Sequence, residues 1–178
     1  AWCVKPEDLK DAIGGMRALG ISGINVTAPH KVEVMKYIDV VTDGAKKLGS
    51  VNTVVNRDGK LYGYNTDADG FCMALTKAGI EIENSRILII GAGGVVRPTL
   101  IRLIDNKPKS ITVVNRTKSK AKTLAEDILK STGFEVNTEI DKLEFDIVIN
   151  TTSAGMEPQE NVMPIENIEE INDKKKKK

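Results

Sequence analysis

In the first third of the chain, apolar residues recur at the spacings typical of helices and of short strands. Helical spacing of Leu9, Ile13 and Met16 predicts a helix over residues 6–19, with Pro6 in its first turn and Gly20 beyond its end. A short strand is predicted over residues 23–27. Pro29 then favours the first turn of a second helix running toward Tyr37.

Residues 51–65 show the pattern of a β-hairpin, because apolar stretches flank an Asp58-Gly59 pair that favours a tight turn. A helix is predicted over residues 69–78, ending at Gly79, with its apolar contacts supplied by Phe71, Met73, Ala74 and Leu75. The expected domain boundary lies here, with one domain over residues 1–68 and another over residues 69–178.

The second half alternates between buried strands and helices. Strands are predicted over residues 86–90, 111–114, 134–136 and 145–149. A helix over residues 95–105 follows the first strand, and the helix after the second carries an apolar stripe made by Ala121, Leu124, Ala125, Ile128 and Leu129. This succession predicts the α/β class, with a doubly wound parallel sheet preceded by a smaller α/β domain.

Composition excludes several classes of partner. Of the 178 residues, 40% are hydrophobic and 29% charged, and no apolar run approaches the roughly 20 residues of a membrane span. The formal net charge of +1 gives no overall reason to bind nucleic acid. Much of the positive charge lies in Lys174 to Lys178, where a frayed terminus is favoured over a nucleic-acid tether.

The cysteine and histidine content argues against disulfides and metal. Cys3 and Cys72 are far apart in the sequence, and His30 is the only histidine. Neither a disulfide framework nor a clustered zinc site is therefore expected. A reducing cytoplasm fits best, and no charged-then-apolar leader opens the sequence.

The stretch Gly91-Ala92-Gly93-Gly94 follows a predicted strand and opens a predicted helix. Residues without large side chains let main-chain N–H groups and the helix dipole meet a pyrophosphate there, so these four are candidate cofactor ligands. Glycines also serve tight strand-to-helix turns without any ligand. Val96 replaces the third small residue of the usual pattern, and together with Pro98 it is expected to crowd the first helical turn.

The next predicted strand ends at Asn115-Arg116-Thr117 and carries no carboxylate for a ribose hydroxyl. Arg116 can grip a 2′-phosphate, Thr117 can donate from its hydroxyl, and Lys120 adds positive charge. We therefore expect Asn115, Arg116, Thr117 and Lys120 to bind NADP in preference to NAD. A solvated, basic helix start is the alternative.

Hydroxyl side chains follow the last predicted strand, at Thr151, Thr152 and Ser153. Open α/β sheets bind ligands at the carboxyl ends of their strands, so these residues are expected to line the cofactor site. The alternative is a polar loop that only caps the end of the sheet.

Several motifs, taken in order and spacing from about Gly20 to Met156, resemble the shikimate dehydrogenase family. They are the glycine loop, the Asn115-Arg116-Thr117 stretch, Asn25-Val26-Thr27-Ala28-Pro29-His30-Lys31, Val51-Asn52-Thr53, Asn65-Thr66-Asp67-Ala68-Asp69-Gly70 and Asn150-Thr151-Thr152-Ser153-Ala154-Gly155-Met156. The resemblance implies a Rossmann-like cofactor domain and reversible, NADP-dependent reduction of 3-dehydroshikimate to shikimate, a step of chorismate and aromatic amino-acid biosynthesis. It also implies that Lys31 and Asp67 are catalytic and that Thr27 and Asn52 bind substrate hydroxyls.

The chemistry agrees with that implication. Delivering hydride to a ketone places negative charge on oxygen, which needs a positioned proton donor such as a lysine. An aspartate beside the lysine orients its ammonium group and binds a substrate hydroxyl. Without their motifs, Lys31 and Asp67 would be taken for solvated surface charges, and His30 is expected to make a local hydrogen bond only.

The resemblance implies that family segments precede Ala1 and follow residue 173, so that both domains are incomplete here. We expect this chain alone to bind NADPH weakly and to turn over shikimate slowly or not at all. Uncovered apolar surface would favour association into a homodimer. Two alternatives stay open: a quinate or quinate/shikimate dehydrogenase using NAD or NADP, and a non-catalytic dinucleotide-binding module.

Overall fold

The computed structural model describes residues 1–155, Glu157 and Pro164. Its contacts fall into two units, Ala1–Phe71 and Cys72–Lys178. Met156, which ends the last motif, and the run from Lys174 to Lys178 lie outside the described residues.

The first unit begins with the predicted helix. A 3-10 turn over Pro6–Asp8 leads into α1, Leu9–Ala18. The three apolar residues at helical spacing are buried on one face of α1, at 2–4% exposure. They pack in a core with strand and loop residues that include Val34, Val51 and Leu61. The predicted helix and its buried face are confirmed.

A four-stranded sheet carries the rest of this unit, in the order β1-β3-β4-β2. The strands are β1 Gly23–Asn25, β2 Val40–Val41, β3 Thr53–Arg57 and β4 Lys60–Tyr64. The antiparallel β3-β4 pair confirms the hairpin, and its turn residues Asp58 and Gly59 both have positive φ, 52° and 82°. The short strand β2 and helix α2, Asp43–Leu48, were not predicted.

The helix predicted from Pro29 toward Tyr37 was wrong. Turns lead instead to a 3-10 helix, Glu33–Lys36. The reason lies in the main chain, because the Lys31 carbonyl accepts the N–H of Val51 at 2.8 Å. A helix would need that carbonyl for its own ladder.

The helix that follows the hairpin is α3, Asp67–Lys77. It begins two residues before its predicted start. Ala68 and Cys72, one turn apart, are its buried contacts, whereas Met73 is 58% exposed. The helix is confirmed, but its buried face had been assigned in part to the wrong side chains.

The second unit holds a parallel sheet in the order β6-β5-β7. Its strands are β5 Arg86–Ile90, β6 Ser110–Val114 and β7 Ile147–Asn150, and its helices are α4 Val96–Asp105 and α5 Lys118–Thr132. Strands β6 and β7 flank β5 on opposite sides, so the strand order reverses at the carboxyl end of β5. The α/β class and the Rossmann-like sheet are confirmed.

Two predictions for this unit, the strand over residues 134–136 and part of the buried stripe of α5, differ from the structure. Leu88 and Ile90 pack against the segment that contains Ile140, Leu143 and Phe145. The strand predicted over residues 134–136 was wrong, because this stretch buries Val136 but pairs only through an isolated bridge between Asn137 and Thr112. On α5, Ala121 and Ile128 are buried, whereas Leu129 is 49% exposed and does not belong to the buried stripe.

The described part of the chain has neither a membrane-spanning helix nor clustered metal ligands. None of its helices combines the length and apolar character that crossing a membrane requires. No group of three or more histidine, cysteine, aspartate or glutamate residues there could hold a metal ion. Neither Cys3 nor Cys72 forms a disulfide bond.

Asp39 ties α1 to the β-hairpin and makes acid stability testable. Its Oδ2 accepts from Arg17 and from the main-chain N–H of Leu61, both at 2.7 Å, and the Arg17 hydrogen bond is the main reason that the pKa of Asp39 is lowered. Asp39→Asn should remove the stabilisation that the ionised Asp39 carboxylate gives the folded state. This stabilisation is complete at pH values above the ordinary aspartate pKa of 3.8, and it is lost as the pH falls through the depressed pKa of the folded state.

Urea unfolding of the wild type and Asp39→Asn at several pH values measures this. The difference in free energy of unfolding should be constant near neutral pH and shrink below about pH 4. A difference that stayed the same down to the acid limit would contradict the assignment.

Candidate active site

A lysine from a turn and an aspartate from the start of α3, both in the first unit, form a close ion pair. Lys31 Nζ lies 2.7 Å from Asp67 Oδ2. The Lys31 side chain is 24% exposed and that of Asp67 is 51% exposed, so both groups remain open to a ligand. The structure therefore brings together the two residues that the sequence assigned to catalysis, although 36 residues separate them.

The second oxygen of Asp67 is held by Asn52. Asn52 Nδ2 donates to Asp67 Oδ1 at 2.7 Å and to Thr66 Oγ1 at 3.0 Å. Its own Oδ1 accepts from Thr53 Oγ1 and from the main-chain N–H of Thr66, both at 3.0 Å. Asn52 is 8% exposed. In this arrangement Asn52 orients the carboxylate, a role that the sequence did not assign to it.

Main-chain bonds fix the segments that carry these side chains. The N–H of Val51 bonds to the Lys31 carbonyl at 2.8 Å, and the N–H of Val26 bonds to the Asn52 carbonyl at 2.7 Å. The Asn52 N–H bonds to the Tyr64 carbonyl at 3.0 Å. Three separate stretches thus meet around residues 51 and 52, in the segment directly before β3.

Thr27, the other predicted substrate ligand, is exposed and follows the residue that is bonded to Asn52. Its carbonyl accepts the N–H of His30 at 2.9 Å. The His30 ring nitrogen Nε2 lies 2.9 Å from the Val4 carbonyl oxygen. This side-chain contact joins His30 to a distant stretch, while its main-chain N–H makes a local hydrogen bond to Thr27.

In the second unit, the glycine loop leaves the carboxyl end of β5. Gly91 has φ 113°, and a side chain there would collide with the Thr151 hydroxyl. A β-carbon added at Gly93 or at Gly94 would have no atom within 4 Å. The loop is therefore closely packed at its first glycine and open at the next two, which suits the approach of a phosphate to the main chain.

The start of α4 accommodates both residues that were expected to crowd it. Val96 is fully buried, and Pro98 is buried in the first turn of the helix. A proline there costs no hydrogen bond, because the first N–H groups of a helix have no partner within the helix. The crowding is not observed; Val95, one residue earlier, is the half-exposed side chain beside the loop.

The end of β6 connects to the glycine loop through Asn115. Its Oδ1 accepts the Ala92 N–H at 3.1 Å, and its Nδ2 donates to the Thr117 carbonyl at 3.0 Å. Arg116, Thr117 and Lys120 are exposed. Ala92 and Lys120 line one open depression of about 480 Å³ in this unit. Asn115 thus holds two loops together, with the basic side chains free to meet solvent or an anion.

The residues after β7 pack beside the same loop. The hydroxyl and the N–H of Thr151 both bond to the Ile90 carbonyl at 2.8 Å. The hydroxyl of Thr152 donates to Asn150 Oδ1 at 2.7 Å, while Ser153 is exposed. Thr151 therefore caps the end of β5 and lies against Gly91.

Several residues around these sites escaped sequence reasoning. Asn65 and Ser50 are buried polar residues that meet behind the start of α3, and Arg97 pairs with Asp127 at 2.6 Å between α4 and α5. An asparagine two positions before a helix is a recognisable capping signal. Ser50 and Asp127 carry no signal of their own, since their partners are distant in sequence.

Comparison with known families covers most of the chain. A family model described as the shikimate dehydrogenase substrate binding domain matches residues 1–54, and one described as shikimate / quinate 5-dehydrogenase matches residues 73–178. The second match alone covers more than half of the chain.

Individual relatives agree. A shikimate dehydrogenase (NADP(+)) of a Geobacillus species is 49% identical over 170 residues, which are 93% of this chain and 61% of that protein. The structure of a Thermus thermophilus shikimate 5-dehydrogenase with NADP(H) and shikimate matches with a TM-score of 0.80 at 31% identity, over 93% of this chain and 60% of that one. A 5-ketofructose reductase of a Gluconobacter strain matches with a TM-score of 0.75 at 38% identity, over 86% and 57%.

The contrast between Gly91 and Gly93 yields a stability test. Gly91→Ala should lower the free energy of unfolding by more than about 2 kcal/mol, because it combines a left-handed backbone with the collision against Thr151. Gly93→Ala should change it by less than about 0.5 kcal/mol. Urea unfolding followed by circular dichroism measures both, and equal losses in the two variants would refute this view of the loop.

Proposed function

The chain belongs to the shikimate dehydrogenase family, and on that premise we propose that its protein reduces 3-dehydroshikimate to shikimate with NADPH, reversibly. The chain spans about three-fifths of the length of the relatives that it matches. The observation that carries the proposal is the contact between Lys31 Nζ and Asp67 Oδ2 at 2.7 Å, with Asn52 on the other carboxylate oxygen.

We assign the proton transfer to Lys31. Its ammonium group donates a proton to the carbonyl oxygen as that oxygen gains negative charge, and in the reverse direction the neutral amine accepts the hydroxyl proton. Asp67 accepts a hydrogen bond from the ammonium and so limits the directions in which it can point. Because Asp67 is half exposed, its carboxylate can also accept a hydrogen bond from a substrate hydroxyl.

Substrate hydroxyls are assigned to Thr27 and Asn52. Thr27 is exposed and lies next to the residue bonded to Asn52. Both N–H groups of the Asn52 side chain already donate to protein oxygens. Asn52 therefore binds a substrate hydroxyl only by sharing or exchanging one of these bonds, and its principal role in the proposal is to orient Asp67.

The second unit fits NADP. When bound, NADPH supplies the hydride that reduces the carbonyl carbon. The open main chain at Gly93 and Gly94 suits the pyrophosphate. The Ala92 N–H donates to Asn115 Oδ1 and so fixes the start of this loop. Arg116, Thr117 and Lys120 offer two cations and a hydroxyl for a 2′-phosphate. Thr151, Thr152 and Ser153 complete this set at the neighbouring strand end.

Quinate is the second candidate substrate, because the family model that matches residues 73–178 is described as shikimate / quinate 5-dehydrogenase. Parallel assays with both acids and with NADP and NAD distinguish these activities. Binding of NADPH without turnover of either acid would support the non-catalytic module instead.

We further propose a cytoplasmic homodimer. Two cysteines that form no disulfide agree with a reducing compartment. Among the described residues, β7 pairs only with β5, so the main-chain groups on its other edge can pair with another chain. Light scattering at several concentrations tests the dimer.

Removing either member of the ion pair should abolish most of the turnover. In the full-length protein, Lys31→Ala and Asp67→Asn should each lower kcat for shikimate oxidation by about 100-fold or more. Lys31→Ala removes the proton donor, and Asp67→Asn removes the carboxylate that orients it. Affinity for NADPH, measured by fluorescence, should stay the same.

The control is Lys36→Ala, which removes a lysine of the same unit that pairs with Glu33 at 2.9 Å on the 3-10 helix. It should leave kcat within about twofold. Turnover that persisted in Lys31→Ala at the control's level would exclude Lys31 as the proton donor.

Cofactor choice should depend on Arg116. Arg116→Ala should weaken NADPH binding about 10- to 100-fold, the equivalent of one charge-assisted hydrogen bond, and leave NADH binding unchanged. Lys122→Ala, which removes an exposed lysine of the following helix α5, is the control and should change neither affinity. Equal losses for the two cofactors would mean that Arg116 does not read the 2′-phosphate.

A further inference from the structure

Asn65 lies two residues before Asp67 and uses both ends of its amide. Its Oδ1 accepts the main-chain N–H of Asp67 at 3.1 Å and that of Ala68 at 3.5 Å. Its Nδ2 donates to the Ser50 carbonyl at 3.1 Å and to the Ser50 hydroxyl at 2.8 Å. Asn65 is 9% exposed and Ser50 is 5% exposed, so water competes little for these bonds.

We infer that Asn65, through Ser50, is a positioning residue that sets where the Asp67 carboxylate meets the Lys31 ammonium. Its effect on turnover rests on the function proposed above, whereas its effect on geometry does not. Asn65 itself is buried behind the first turn of α3 and acts through the main chain of Asp67.

Three consecutive residues connect both sides of the ion pair. Ser50 accepts from Asn65 and so holds the start of α3, and the N–H of Val51 bonds to the Lys31 carbonyl at 2.8 Å. Asn52 donates to Asp67 Oδ1 at 2.7 Å. Residues 50–52 are thus a common support for Lys31 and Asp67, and Asn65 is the part of it that fixes the helix carrying Asp67.

An ordinary helix cap would explain only half of these contacts. Serine or aspartate can also accept N–H groups at the start of a helix. Only an amide accepts from the helix and at the same time donates two N–H groups to Ser50. The two bonds that Asn65 donates connect α3 to residues 50–52, the segment before β3 that contains Asn52. This connection distinguishes a positioning residue from a helix cap.

The test uses Asn65→Ser, which keeps a capping oxygen but cannot donate both bonds to Ser50, and Ser50→Ala, which removes the accepting hydroxyl. Asn56→Ala is the matched control, because Asn56 Oδ1 accepts the Gly59 N–H at 2.8 Å in the hairpin turn. All are made in the full reading frame and assayed well below their melting temperatures, with kcat, KM for shikimate and NADPH affinity measured separately.

Asn65→Ser should lower kcat about 10- to 100-fold, since small misplacements of a catalytic group have effects of this size. NADPH affinity should not change. Ser50→Ala should lower kcat less, and the double variant should lose less than the product of the two single losses, because both break one connection. Asn56→Ala should leave kcat within about twofold. A melting temperature that falls while kcat stays within about twofold in Asn65→Ser would reduce Asn65 to a cap and overturn the inference.

An inactive parent protein would defeat the proposed function but not this inference. A crystal structure of Asn65→Ser then decides it. A distance between Lys31 Nζ and Asp67 Oδ2 beyond about 4 Å would support positioning, because the ion pair is then broken. A distance unchanged from 2.7 Å would overturn it.

Discussion

The carboxylate of Asp67 accepts a hydrogen bond on each oxygen, from Lys31 on one and from Asn52 on the other. Much of the first unit is arranged around this constraint. Asn52 lies directly before the hairpin, and the Tyr64 carbonyl at the end of the hairpin accepts the Asn52 N–H and so fixes its main chain. Because both oxygens of the Asp67 carboxylate are hydrogen-bonded, the carboxylate is held in one orientation. The position of the Lys31 ammonium, which donates to it, is fixed as well.

The second unit meets a different requirement, which is to leave main chain open at the end of a buried strand. Strand β5 is covered on both sides of the sheet plane, so its carboxyl end is a rigid base for the glycine loop. Asn115 and Thr151 hold that loop from the two neighbouring strands, through Ala92 and Ile90. Asn115 and Thr151, which the motifs assign to cofactor binding, thus also hold the glycine loop in place.

The sequence predicted the features that local chemistry determines. Asp58-Gly59 specified the hairpin because both residues must adopt positive φ, and the apolar run before Gly91 specified β5. It failed where distant partners decide, as at Lys31, whose carbonyl bonds to Val51 instead of continuing a helix. The motifs identified Lys31 and Asp67, but Asn65 and Ser50 could not be paired from sequence, because their bond joins residues 15 positions apart through a buried contact.

In the proposed reaction, the Lys31 ammonium, oriented by Asp67, meets the substrate oxygen that gains or loses a proton. A crystal structure of the protein with shikimate and NADP measures this directly. We expect a ring hydroxyl oxygen within about 3 Å of Lys31 Nζ, with Asp67 still bonded to the same ammonium. Shikimate bound with its hydroxyl groups away from Lys31, or an ion pair separated in the complex, would contradict it.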